Sequence, residues 1–126
     1  MSKNQPHYEM HLNDRGLIEL AYIGPQTVET VEASLDAAKA MIRERIQAGK
    51  PANFIIDYGR IGKTTVEANR RAMRGMKELQ FHRMAGINAK PVIRFITNTI
   101  ASFTGDSKRA KHFKNPEEAE RWLLES

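Results

Sequence analysis

A chain of 126 residues is the length of one ordinary domain, enough to bury a hydrophobic core without metals or crosslinks. It has no cysteine, which excludes disulfides, zinc–thiolate sites and thiol catalysis and is compatible with a reducing cytoplasm. Twenty Lys and Arg against fifteen Asp and Glu give a formal charge of +5, which favours anionic partners such as nucleic acid, phospholipid or acidic protein surfaces without choosing among them. The start "MSKNQPHYEM" holds no signal-peptide apolar core, and no segment reaches the roughly 18 apolar residues of a membrane span. A soluble cytoplasmic protein is expected, with residues 1–6 flexible.

Tyr8, Met10 and Leu12 alternate on one side of a strand, and after "NDRG" the run "LIELAYI" places Ile18, Leu20 and Tyr22 on one side of another. Asn13, Asp14 and Gly16 supply the turn chemistry of a hairpin. From Thr27, a fitting N-cap, the spacing of Val28, Val31, Leu35, Ala38, Ile42 and Ile46 predicts an amphipathic helix that ends in "AGKP", with Gly49 as the left-handed cap. "NFIIDYG" is an unbroken apolar run and predicts a central parallel strand over 53–58. A second helix is expected to start at Thr64, paired with Glu67 in a capping box, to bury Val66, Ala72, Met73, Met76, Leu79 and Met84, and to stop at Gly86. "KP" then recurs before "VIRFIT", predicting a further strand over 91–97 and a β-α-β-α-β rhythm. Residues 99–110 suggest a short helix broken by "TGDS", and "KHF" a small edge strand. The last element is a helix with Asn115 as N-cap, Pro116 at its first position, Glu117 and Glu118 in its first turn, and Ala119, Trp122 and Leu123 facing inward.

Ligands of a parallel sheet gather at the carboxyl ends of its strands, so that edge is expected to carry Asp57, Tyr58, Lys63, Thr64, Thr65, Thr97, Asn98 and Thr99. "GRIGKTT" ends like a P-loop, but the place of the first glycine in G-x-x-x-x-G-K-[ST] is Asp57, whose carboxylate would repel a phosphate. A nucleotide cradle is therefore not expected. A single anion held by the helix start, Lys63 and the Thr64 or Thr65 hydroxyl remains open. The plainer alternative is that Thr64 caps its helix, Lys63 is solvated and Asp57 bonds loop amides. His7 and His11 sit on a strand, too far apart for a metal pair, and no catalytic triad or metal set can be assembled from spacing. Two basic groups stand out, Arg70, Arg74 and Lys77 with Arg71 beside them, and Lys108, Arg109, Lys111 and Lys114 around Phe113. Each reads better as a solvated face than as a phosphate grip, and Glu67 is expected to pair with Arg71.

The order of elements, the central "FIIDYG" and the ending "KHFKNPEEAERWLLES" resemble the small stand-alone bacterial proteins of the STAS and CRAL-TRIO-like kind, relatives of the anti-sigma-factor antagonist fold. That resemblance spans nearly the whole chain. It implies one α/β STAS-like domain over 1–126, with an N-terminal hairpin, a four- to five-stranded mostly parallel sheet and three to four helices. It also implies a non-enzymatic regulatory module, without a cofactor, that acts on a protein partner or as a homodimer. In the antagonist branch a Ser at the helix start after the central strand is phosphorylated by a partner kinase. This chain has "GRIGKTTVE" there, without the Asp-Ser pair, so only Thr64 or Thr65 stands in for the switch residue. The competing classes are a small enzyme or phosphate-ligand binder using Asp57, Lys63 and Asn98 in one pocket, and a nucleic-acid binder using the basic groups.

Overall fold

The computed structural model describes residues 7–125; the expected flexibility of 1–6 lies outside them. Elements follow the chain as β1 (Tyr8–Leu12), β2 (Leu17–Gln26), α1 (Val28–Gln47), β3 (Asn53–Thr64), α2 (Val66–Glu78), β4 (Arg83–Ile87), α3 (Pro91–Thr104), β5 (Ala110–Phe113) and α4 (Pro116–Leu124). One five-stranded sheet runs in the order β1-β2-β3-β4-β5, with β1 antiparallel to β2 and every other pair parallel. This is the expected α/β architecture. Because β2, β3, β4 and β5 step across the sheet in one direction, right-handed crossovers place α1, α2 and α3 on the same face. Helix α4 follows the edge strand and covers the opposite face.

The hairpin, α1, β5 and α4 fall where the sequence places them. Asn13 Oδ1 accepts from the Arg15 and Leu17 amides and closes the β1–β2 turn. Thr27 caps α1 in a reciprocal box with Thr30, and at the other end Lys50 N–H reaches Arg45 C=O while Gly49 N–H reaches Ile46 C=O around the positive φ of Gly49. Asn115 Oδ1 accepts from Glu118 N–H at the start of α4.

The middle of the chain departs from expectation. "VIRFIT" is not a strand over 91–97 but the first half of α3, with Pro91 at its first position and Gly105, at φ 80°, in the left-handed cap. Its β-branched residues look strand-like, yet Ile93, Thr97, Ile100 and Ala101 recur at helical spacing, and burial of that stripe overrides propensity. The strand that was expected there is β4, "RMAGI", hidden in what reads as the end of the second helix. Helix α2 stops at Glu78, well short of Gly86, and Leu79, Phe81 and Met84 are buried beyond it. Val66 is exposed rather than buried, Ile46 of α1 is exposed, and Trp122 is half-buried.

Two cores result. Phe54, Ile56, Leu20 and Ile18 meet α1 and α2 on one face, while Leu17, Ile55, Ala85 and Ile87 meet Ala119 and Leu123 of α4 on the other. Trp122 packs at the rim of the second core, 5.3 Å from Phe113 between ring centroids, with Arg83 and Lys111 over its ring.

Candidate functional site

"GRIGKT" belongs to neither a loop nor a helix start. It continues β3 alongside "IGPQ" of β2, through two register shifts. A Cβ on Gly62 would lie 2.9 Å from Gly24 C and from Pro25 N, so this glycine is required for backbone contact between strands. The resemblance to a phosphate loop ends there. Thr65, not Thr64, caps α2, its hydroxyl accepting from Ala68 N–H at 2.9 Å, and no capping box with Glu67 forms. Arg71 pairs with Glu32 and Glu78 instead of Glu67.

Asp57 follows Ile55 on the α4 side of the sheet, and its Oδ1 accepts from Gly59 N–H at 2.8 Å and from Asn88 Nδ2 at 3.1 Å. It anchors the loop after β4, where Asn88 takes φ 60°. Lys63 is exposed in the β3 extension, and Asn98 lies in the middle of α3 rather than at a strand end. Thr97 and Thr99 are likewise helical. Asp57 and Lys63 are absent from the walls of the cavity that Thr64 and Asn98 help to line, so the structure does not bring the three pocket candidates together. The reason is topological: along β2-β3-β4-β5 the strand order never reverses, and the crevice that a reversal opens at the carboxyl edge does not arise. Arg70, Arg74 and Lys77 are exposed on α2. Of the second basic group, Arg109 is committed to Asp106 and to the Phe81 carbonyl.

What sequence reasoning missed is a cavity of about 150 Å³ between the sheet and the three helices that cover it. Its floor includes Leu20, Phe54, Ile56 and Met84, and α2 and α3 contribute Ala72, Met76, Ile93 and Ile96. Three rings cross it. Tyr22 stacks with Tyr58 at 6.2 Å between centroids, and Tyr58 meets His112 at 5.7 Å. Tyr22 Oη shares a hydrogen bond with Ser34 Oγ at 3.1 Å. Burial raises the pKa of both tyrosines, and burial followed by the nearby Arg94 charge lowers that of His112. The ring cluster is therefore uncharged at neutral pH. Its sequence signal is faint: Tyr22 and Tyr58 fall at same-face positions of neighbouring strands, and His112 lies opposite Gly86, which only the β4–β5 register reveals.

Among solved structures, the chain is similar to an uncharacterized DUF3478-family protein with a SpoIIAA-like fold from Shewanella loihica PV-4. Identity is 20%, with 98% of this chain and 99% of that chain covered and a TM-score of 0.72. It is also similar to the anti-sigma factor antagonist SpoIIAA in its unphosphorylated form, at 14% identity, 90% and 94% coverage and a TM-score of 0.61. The phosphorylated form of the Bacillus cell fate determinant SpoIIAA matches at 16% identity, 91% and 98% coverage and a TM-score of 0.56. At these identities the likeness shows the fold, which is SpoIIAA-like, the STAS-type arrangement. No curated protein matches the sequence. The model of the family described as "Domain of unknown function (DUF7793)" matches residues 26–126, from the end of β2 to the last residue, and the chain belongs to that family.

Proposed function

We propose that this protein is a non-enzymatic regulatory module of the STAS type that binds another protein through the outer face of α3 and the adjoining start of α2. The observation that carries the proposal is an apolar stripe turned to solvent. Val92, Phe95 and Phe103 are 62%, 72% and 71% exposed, and their spacing along α3 puts them on one side of the helix, with Val66 at 60% on α2. Large exposed aromatics on a helix otherwise packed by Ile93, Ile100 and Ala101 gain by being covered. Lys90 at the α3 cap, Arg94 of α3 and Arg70, Arg74 and Lys77 of α2 are exposed cations, none of them in an ion pair among the described residues. The complementary surface is an apolar centre ringed by carboxylates.

The SpoIIAA-like fold supports the regulatory part of this reading, since one similar structure is described as an anti-sigma factor antagonist. If a phosphorylation switch operates, its acceptor is Thr65, exposed at the α2 cap, rather than Thr64, which is half-buried against the cavity. Phosphorylation there would replace the Thr65–Ala68 cap with a dianion at the helix start.

A photocrosslinking residue placed at position 95 in the full chain, in cells, tests the proposal against the same residue at Glu117 on exposed α4. A discrete protein adduct is expected at 95 and not at 117, and it should disappear when Phe103→Asp is added. An adduct with a second copy of the chain would identify the partner as a homodimer. No protein adduct at 95, or equal labelling at both sites, overturns the proposal.

A further inference from the structure

Helices α2 and α3 each connect two parallel strands, β3 to β4 and β4 to β5, so they run parallel to one another and pack side by side. Residue spacing assigns their flanks. On α2, Arg71 pairs with Glu32 and marks the flank toward α1, whereas Asn69, Met73 and Met76 fall on the opposite flank, toward α3. Helix α3 is the last on its face and has a neighbour on one side only. Half-buried Ile96 lies on that side, and exposed Arg94 and Asn98 lie on the open one. The seam between the helices thus has half-buried Met73 and Ile96 in its floor.

Its two banks differ in chemistry. Along α3 stand Val92, Phe95, Thr99 and Phe103, all exposed and recurring at i, i+3, i+7 and i+11, and Val92 and Phe103 lie on the Ile96 side. Along α2, Val66, Arg70, Arg74 and Lys77 share the solvent face at i, i+4, i+8 and i+11. The acids of α2, Glu67 and Glu78, fall toward α1, where Glu78 meets Lys39 and Arg71, and α3 contains no acid. An apolar row therefore runs beside a cationic row that has no carboxylate to neutralise it.

We infer that the occupant of this seam is an amphipathic α-helix of the partner, its apolar stripe against α3 and a row of Asp or Glu over the cations of α2. The inference rests on the reading of α3 as a protein-binding surface and names the form of the partner. A helix is chosen because both banks are helices: an extended segment laid on them would meet side chains alone and leave its backbone N–H and C=O groups without partners, whereas a helix satisfies its own. The cationic row sets the charge of the partner's flank. It also disfavours a symmetric pairing of two copies through the seam, which would bring Arg70, Arg74 and Lys77 against themselves.

The test is a titration of the whole protein with a helical heptad peptide carrying Leu at a and d and Glu at e and g, with its twin carrying Lys at e and g, and with the Glu peptide broken by a central Pro. Methyl resonances of Met73 and Ile96 report the seam, and those of Leu123 on the α4 face should stay still. Saturable shifts are expected with the Glu peptide, bound at least about tenfold more tightly than either of the others. In the double variant Arg70→Glu, Lys77→Glu, both at exposed positions, the preference should turn to the Lys peptide. No saturable shift with the Glu peptide at millimolar concentration overturns the helical occupant, equal binding of the Lys twin overturns the acidic flank, and undiminished binding of the Pro peptide overturns the helix. If the peptides fail while the adduct at position 95 forms, the surface stands and only the form of its partner falls; if both fail, both readings fall.

Discussion

The two faces of the sheet use the same strands and are packed in opposite ways. On the α4 face, Leu17, Ile55, Ala85 and Ile87 close against Ala119 and Leu123, with alanines drawing helix and sheet together. On the other face, the closest approach is between helices: a Cβ on Gly75 of α2 would come 2.3 Å from Leu35 Cδ1 of α1. Asn69, Ala72 and Met76 of α2 border the cavity, Ala72 and Met76 while also packing against the core of that face. A close-packed face holds the strands in register, and a hollow face leaves room for something that is not part of the chain. The lesson is that burial alone does not separate the two: Phe54 and Leu123 are both inaccessible, but of the two only Phe54 lines the cavity.

The largest way to break this contrast is at Leu123. Leu123→Ala should cost about 2–5 kcal/mol in denaturant unfolding, because it removes a fully buried side chain from the α4 core. Met76→Ala, on the wall of an existing cavity, should cost less. Equal losses would mean that the α4 face is not the tighter one. A sharper contrast comes from enlarging alanines. Ala119→Leu should destabilise by about 1–3 kcal/mol through overpacking, whereas Ala72→Leu has space to enter and should change stability by about 0.5 kcal/mol or less. A destabilisation of Ala72→Leu as large as that of Ala119→Leu would argue against the hollow.

The same contrast explains what was legible in the sequence. The solid parts were, because capping residues and amphipathic stripes are local: Thr27 and Gly49 bound α1, Asn115 and Pro116 start α4, and Asn13 turns the hairpin. The resemblance carried in "FIIDYG" and "EEAERWL" pointed to the right fold. The segment from Thr64 to Thr104 was misread because its strand, "RMAGI", is short and carries an Ala-Gly that mimics a helix stop, while its helix is rich in β-branched residues. That shift by one element also moved Asn98 and Lys63 to a strand edge where they do not meet. The cavity left only a faint trace, in the same-face positions of Tyr22 and Tyr58. It depends on His112 lying across Gly86 and on Tyr22 reaching Tyr58 through a strand irregularity, both properties of register rather than of any stretch of chain.

A smaller effect concerns how α2, on the hollow face, is held at its start. Thr65→Ala should lose about 1 kcal/mol, the usual worth of a helix N-cap, because it orphans the Ala68 amide. Thr64→Ala should lose less, since Thr64 makes its backbone pairing with Gln26 regardless of side chain. Thermal or denaturant melts of the two variants compare them directly, and the reverse order would restore Thr64 as the cap.

The smallest expected effect is one of pH, and it reads the hollow face alone. His112 is packed against Tyr58 of β3 and Thr97 of α3, with Arg94 of α3 as the nearby charge, and burial first and Arg94 second lower its pKa from the ordinary 6.5. In the window between the folded and unfolded values, the unfolded chain binds more protons, so stability rises with pH there. The contribution of His112 is thus complete above the unfolded value of 6.5 and is lost as pH falls through the lower folded value. Glu78, its pKa lowered chiefly by its hydrogen bond to Lys39, adds an acid loss of its own, but below its ordinary 4.5 and equally in any His112 variant. Subtracting the unfolding free energy of His112→Phe from that of the wild type, between about pH 8 and pH 5, cancels the shared groups. The difference should be flat near neutrality and should move against the wild type as the pH falls below 6.5. A difference independent of pH would show that His112 has the same proton affinity folded as unfolded, and would remove burial as the force that keeps its ring neutral on the hollow face.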